Sequence, residues 1–147
     1  MSNIDKAKSA ELIMQLYDLR REKVMREARD WVFTYNPGSA DEYMAKMMEE
    51  KEGAYLRMVT SYWEMAAGFV NHGAIDRDMF CDSNGEYMMV YAKIEPMLEE
   101  LREKFQSPTA FKHLEQLIND LPEGKENLKK VQEWLANFGK ETAEASA

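Results

Sequence analysis

The sequence is short of most residues that carry chemistry. It has one cysteine, two histidines, four prolines and seven glycines in 147 residues. A single thiol, Cys81, cannot close an internal disulfide, which suits a reducing compartment. A domain of this length buries roughly 70% of the surface its unfolded chain exposes and needs no such staple. Long apolar runs are missing too. No stretch approaches the ~18 residues of a membrane span, and the opening "MSNIDKAKSA" has no apolar signal segment. The expectation is a cytoplasmic protein with no membrane span. Excess positive charge is also lacking: 19 basic residues against 27 acidic ones leave a net charge of −8. Phosphate backbones are bound by clustered Lys and Arg, so direct contact with nucleic acid is not expected. The bases alternate with acids, as in "DLRREKVMREARD", the pattern of a solvated helix face. Glycine-rich phosphate cradles, Gly-x-Ser-x-Gly turns and kinase signatures are absent, which removes the commonest enzyme classes.

What the sequence does hold is helix. Ala, Leu, Met, Glu, Lys and Arg dominate, and no β-branched run alternates with period two. This predicts an all-α fold, a helical bundle of five to six helices in one domain over 1–139. A polar tail over 140–147 is expected to be disordered. The bundle is expected to be built on a long antiparallel helical hairpin. Its first arm runs from Ser9 to Tyr35, with a seam of Ala10, Met14, Tyr17, Val24, Ala28, Trp31 and Tyr35 repeating about every 3.5 residues; Arg21 falls in the same seam. "NPGS" breaks it, and Ser39 with Glu42 forms a capping box. The second arm runs from Ala40 to His72, roughly 50 Å. Its stripe is Met44, Met47, Met48, Tyr55, Met58, Val59, Tyr62, Met65, Ala66 and Phe69. Small residues (Gly53, Thr60, Ser61, Ala67, Gly68) line its other side, so a second helix can approach and the arm should sit centrally.

Farther along, Asp76 is expected to cap a short helix over residues 77–81. A helix carrying Tyr87, Tyr91, Ile94, Leu98, Leu101 and Phe105 should kink at Pro96. Ser107 and Pro108 read as the start of a helix with Phe111, Leu114, Leu117, Ile118 and Leu121. A last helix carries Leu128, Val131, Trp134, Leu135 and Phe138 and stops at Gly139.

The stretch "GFVNHGAIDRDMFCDSNGEY", residues 68–87, is the densest in polar chemistry. Every polar residue in it has a structural task as the corner between two helices: Gly73 for a left-handed turn, Ile75 as an apolar plug, Asp76 as a cap, and Asp82, Ser83 or Asn84 as the next cap. As a calcium loop it fails, because Tyr87 stands where glycine is needed and Lys93 where the bidentate glutamate is needed. His72, His113 and Cys81 match no zinc spacing, and neither histidine follows a glutamate by three residues as di-iron bundles require. No metal and no cofactor is expected, and no catalytic residue is assigned. A Cys81–His72 nucleophilic pair rests on proximity in sequence alone.

Four candidates for buried polar groups remain. Lys51 interrupts the apolar stripe of the second arm and is expected either to pair with Glu27 or to snorkel to solvent. Glu64 on the small-residue face would need a cation or donors, which Arg102 or another arginine can supply. The functional alternative is a small-ligand pocket formed by Tyr62, Glu64, Asn71 and His72. Twelve methionines are several-fold more than usual, and Met25 and Met89, off the main stripes, are expected to form an exposed contact patch.

The stretches "LRREKVMREARDWV", "YLRMVTSYWEMAAGFVNHGAIDRDMF" and "IEPMLEELREK" resemble an uncharacterised bacterial all-helical family described only as a domain of unknown function, over roughly residues 12–120. The resemblance implies a helical fold and carries no activity, cofactor or site residue.

Together these readings point to a non-enzymatic interaction or regulatory module of the bacterial cytoplasm that associates with itself or another protein. Two alternatives stand beside it: a small-ligand sensor or enzyme at Glu64, Asn71 and His72, and an acidic mimic occupying a basic partner.

Overall fold

Both arms of the expected hairpin are broken in two. The structure, a computed structural model, describes residues 4–146, with side chains described through residue 140. Helix α1 (Lys6–Arg20) starts at Asp5, whose carboxylate accepts from Lys8 N at 3.0 Å. It ends just before Glu22, whose carboxylate oxygens take the amides of Val24 at 3.1 Å and Met25 at 2.9 Å and so start α2 (Lys23–Thr34). Those two amides also hold the Glu22 carboxyl below the usual carboxylate range. A side chain that satisfies two free amides makes a helix start here more favourable than continuity.

The break resets the helical phase and overturns the expected seam. Ile13, Leu16, Met25, Ala28 and Val32 are the buried apolar residues of this arm. Ala10, Met14, Tyr17 and Val24 face solvent, and Trp31 and Tyr35 are half-buried. Met25 is therefore core rather than contact patch, and Met89 is half-buried against the core.

After the turn at "NPGS", Ser39 Oγ accepts from Glu42 N at 3.1 Å and Glu42 reaches back to Gly38 N at 2.7 Å. This is the predicted capping box, with its return arm shifted by one residue. It opens α3 (Ala40–Met47). The chain leaves the helix over residues 48–50 and resumes as α4 (Lys51–Asn71). Gly53 makes the junction possible: a Cβ there would lie 2.6 Å from the Met47 carbonyl oxygen. Arg57 donates to that same carbonyl. Met48, expected in the stripe, lies outside the helix and is 77% exposed. Met65 and Phe69, also expected there, are exposed as well.

The rest of the chain forms α5 (Arg77–Ser83), α6 (Glu86–Ile94), a 3-10 turn (Glu95–Met97), α7 (Leu98–Lys104), α8 (Lys112–Asp120) and α9 (Gly124–Ser146). The described residues thus hold more helices than the five to six expected, because each arm is divided. Pro96 kinks the chain as predicted, inside the 3-10 turn. "QSPTAF" does not open a helix. Gln106 and Phe111 take positive φ of 53° and 59°, the segment forms turns, and α8 begins only at Lys112. Nor does Gly139 end the last helix, which runs to Ser146. Of the tail expected over 140–147, the side chains of 141–147 and residue 147 itself lie outside the described residues.

Helix α4 is central, as its two-sided apolar character predicts: α2, α3, α5, α6 and α8 all pack on it. The small face takes α8, and Gly68 sits so close that a Cβ would be 3.1 Å from His113 Cδ2. Trp63, Phe80, Leu101, Leu114, Leu117 and Ile118 form the fully buried centre.

Candidate functional site

The corner after α4 is built for direction change. Gly73 has φ +82°, in the left-handed region that glycine enters freely. Ile75 is buried, and Asp76 caps α5 by accepting from Met79 N at 2.9 Å. The amide of Asp76 donates to Ser9 Oγ at 2.9 Å, tying the corner to α1. Beyond α5 the expected cap of α6 is absent. Asn84 donates to the Phe80 carbonyl at 3.0 Å and Ser83 to that of Met79 at 2.7 Å, so both residues close α5 instead of opening α6. Cys81 is half-buried, accepts from the Tyr87 hydroxyl at 3.4 Å, and burial pushes its thiol pKa up. A thiol held protonated is a poor nucleophile. His72 is exposed, its ring 5.4 Å from that of His113. Among the described residues no three His, Cys, Asp or Glu side chains could together hold a metal ion. No helix among them is long and apolar enough to cross a membrane.

Of the four residues expected around a ligand pocket, Glu64, Asn71 and His72 meet at His113, and Tyr62 turns to α1. Half-buried Glu64 accepts from His113 N at 3.0 Å and Leu114 N at 2.9 Å, capping α8 from α4. A carboxylate at a helix N-terminus satisfies free amides and complements the positive end of the helix dipole. Asn71 donates to the His113 carbonyl at 3.0 Å, and its amide nitrogen lies 3.2 Å from His113 Nδ1. Tyr62 donates to the Leu16 carbonyl, and burial pushes its phenol up to about 12. His72 faces solvent.

The expected charge pairs are exchanged for others. Arg102 does not meet Glu64; it pairs with Glu115 at 2.9 Å and donates to the Ala110 carbonyl at 3.0 Å. Lys51 is exposed at the first position of α4, and Glu27 accepts from the Tyr55 hydroxyl at 3.2 Å. The better-enclosed pair is one that sequence reasoning missed. Arg29 Nε donates to both oxygens of Glu86, at 3.1 and 3.0 Å, while Glu86 Oε2 accepts from Trp63 Nε1 at 2.8 Å. The Arg20 guanidinium lies over the Trp63 ring at 5.3 Å. This network holds α2, α4 and α6 together.

Sequence reasoning also passes over Lys93. The one available signal is that it is the only charge in the run "YMMVYAKI", residues 87–94. Its side chain is buried, 9% exposed, and Nζ donates to the Phe33 carbonyl at 3.0 Å, the Tyr35 carbonyl at 2.6 Å and Asn36 Oδ1 at 3.2 Å. The ammonium thus closes the C-terminal end of α2, the negative end of its dipole. All three acceptors are uncharged, and burial pushes the Lys93 pKa down to about 8.

Lys93 borders one of two clefts that flank α9. The first, about 610 Å³, lies between α9, the 3-10 turn and the loop joining α2 to α3; its apolar walls include Pro37, Pro96, Met97 and Leu135. Among the described residues that line it, the charged groups are Lys93 and Lys140, with no carboxylate. The second, about 580 Å³, holds Glu95, Glu99, Glu100 and Glu115 together with Arg102, Lys125 and Lys129. Gln132 lines both clefts. Its Nε2 donates to the Ala92 carbonyl at 3.2 Å. That carbonyl is free because Pro96, four residues on, has no N–H to offer it. Chemically, the first cleft suits an apolar body with a negative end, and the second holds charges of both signs.

No curated protein and no solved structure matches the chain. A family model described as a domain of unknown function, DUF4760, matches residues 7–121. The matched span stops short of α9, so it carries only one wall of each cleft. Covering most of the sequence, it establishes that the chain belongs to the DUF4760 family, as the motifs around the α4 corner and Pro96 led one to expect.

Proposed function

We propose that this protein is a non-enzymatic interaction module of the bacterial cytoplasm that pairs with a second copy of itself through α1. The observation behind this is the inverted seam. Ala10, Met14 and Tyr17 repeat at the spacing of packed helices yet face solvent, with Met14 64% exposed, while the same helix buries Ile13 and Leu16 elsewhere. A heptad-like apolar stripe on an outer helix favours a like helix as its occupant. Lys6 and Glu11, five residues apart on the flanks of the stripe, carry the signs that attract across a parallel two-helix seam. The acidic-mimic reading draws little support, since several acids are engaged by bases: Glu86 by Arg29, Glu115 by Arg102, Asp41 by Lys104.

Sedimentation velocity from low to high micromolar concentration tests the proposal. Concentration-dependent dimerisation is expected, and Met14→Glu with Tyr17→Glu should abolish it while leaving the helical circular dichroism intact. A chain that stays monomeric throughout the range overturns it.

A further inference from the structure

We propose that the cleft walled by Pro37, Pro96, Met97 and Leu135 binds a small aliphatic carboxylic acid, its chain on the apolar walls and its carboxylate between Lys93 and Lys140. The size is right: about 610 Å³ falls in the range of small-molecule pockets, roughly 300–1,000 Å³. The charge selection is unusual for this chain. It has 27 acidic residues, yet among the described residues lining the cleft the charges are two lysines. Across α9, the neighbouring cleft sets four glutamates against Arg102, Lys125 and Lys129, so it has no such selection for one sign.

Lys93 is prepared for such a ligand. Two of its bonds, to the Phe33 and Tyr35 carbonyls, hold the ammonium in place at the end of α2. The third and longest, 3.2 Å, goes to Oδ1 of Asn36, an exposed residue that itself lines the cleft. A carboxylate oxygen replaces that neutral acceptor with a charged one, and the Asn36 amide, turned over, donates its NH₂ to the same carboxylate. Lys93 is protonated at neutral pH, so the charge is present where the ligand arrives. Lys140, exposed on α9, supplies a second cation at the opposite wall.

The test uses octanoate as the probe and octan-1-ol as the uncharged comparator, titrated into the full chain by calorimetry and by ¹⁵N amide shifts. Octanoate is expected to bind about tenfold or more tightly than octan-1-ol, the size of one charge-assisted hydrogen bond. The shifts should centre on Ala92, Lys93 and Gly139. Lys93→Gln should cost octanoate about tenfold and leave octan-1-ol unchanged. Ala136→Trp, a substitution at an exposed position that fills the cleft, should abolish octanoate binding without unfolding the chain. Equal affinity for the two probes, shifts located elsewhere, no saturable binding of octanoate, or binding that survives Ala136→Trp would each overturn the proposal.

Discussion

Glu64 and Lys93 work at opposite ends of helices. Glu64, on α4, closes the start of α8 with both carboxylate oxygens, at 3.0 and 2.9 Å from two amides. Lys93, on α6, closes the finish of α2 with three bonds to uncharged oxygens. Each sign matches the dipole end it meets. They differ in what lies beyond. Glu64 is enclosed between two packed helices, whereas Lys93 opens on a cleft with no carboxylate among its described lining. The same capping chemistry therefore joins two packed helices in one place and borders a cleft in the other.

Substitutions can break this comparison, starting with the largest expected effect. Gly124→Ala should strip the cleft side of its wall, since a Cβ there would lie 1.9 Å from the Ile118 carbonyl oxygen. Urea unfolding should show a loss of about 3 kcal/mol, with amide exchange rising in α9 before α8. Glu64→Ala leaves two amides without their acceptor and should cost about 2 kcal/mol in the same measurement. Lys93→Met should cost about 1 kcal/mol, because relief of the ammonium's desolvation offsets part of the cost of leaving the Phe33 and Tyr35 carbonyls without a donor. A loss for Lys93→Met as large as that for Glu64→Ala would erase the distinction between the two sites.

The remaining test is a pH dependence. Folded Lys93 gives up its proton near 8, whereas the unfolded side chain holds it to ~10.4. Between those values the unfolded state binds more protons, so the Lys93 contribution to stability rises with pH, by up to about 1.4 kcal/mol per pH unit. Tyr62, Tyr91 and Cys81 run the other way, since burial raises their pKa values and the unfolded groups ionise first. Subtracting the Lys93→Met curve from that of the parent cancels these and isolates the lysine. A flat difference curve between pH 8 and 10 would show that the native ammonium keeps its usual pKa.

Local grammar was legible in the sequence, and long-range capping was not. Gly73, Asp76, Ser39 and Pro96 act within four residues of themselves, so a glycine turn, two caps and a kink could be read directly. Glu22 also acts locally, but in "RREKVMRE" a capping carboxylate looks the same as one more member of a charged face, and the break it causes reversed the seam. Met48 looked like stripe because nothing local marks the close contact between Gly53 and the Met47 carbonyl. Ser107 and Pro108 carry the usual start signal, yet α8 takes its cap from Glu64, some fifty positions earlier. Lys93 and its acceptors in residues 33–36 are separated by a similar distance along the chain. No periodicity reports such partners, which is why the capping roles of Glu64 and Lys93 and the cleft beside α9 went unseen.

Pro96 has an effect that reaches past its own kink. By lacking one hydrogen it leaves the Ala92 oxygen as a socket at a fixed height on α6, and Gln132 is the plug. Sliding α9 by one turn would carry the plug about 5 Å away and leave the socket dry. A subtraction from one helix therefore acts as the detent that indexes another, and with it the width of both clefts.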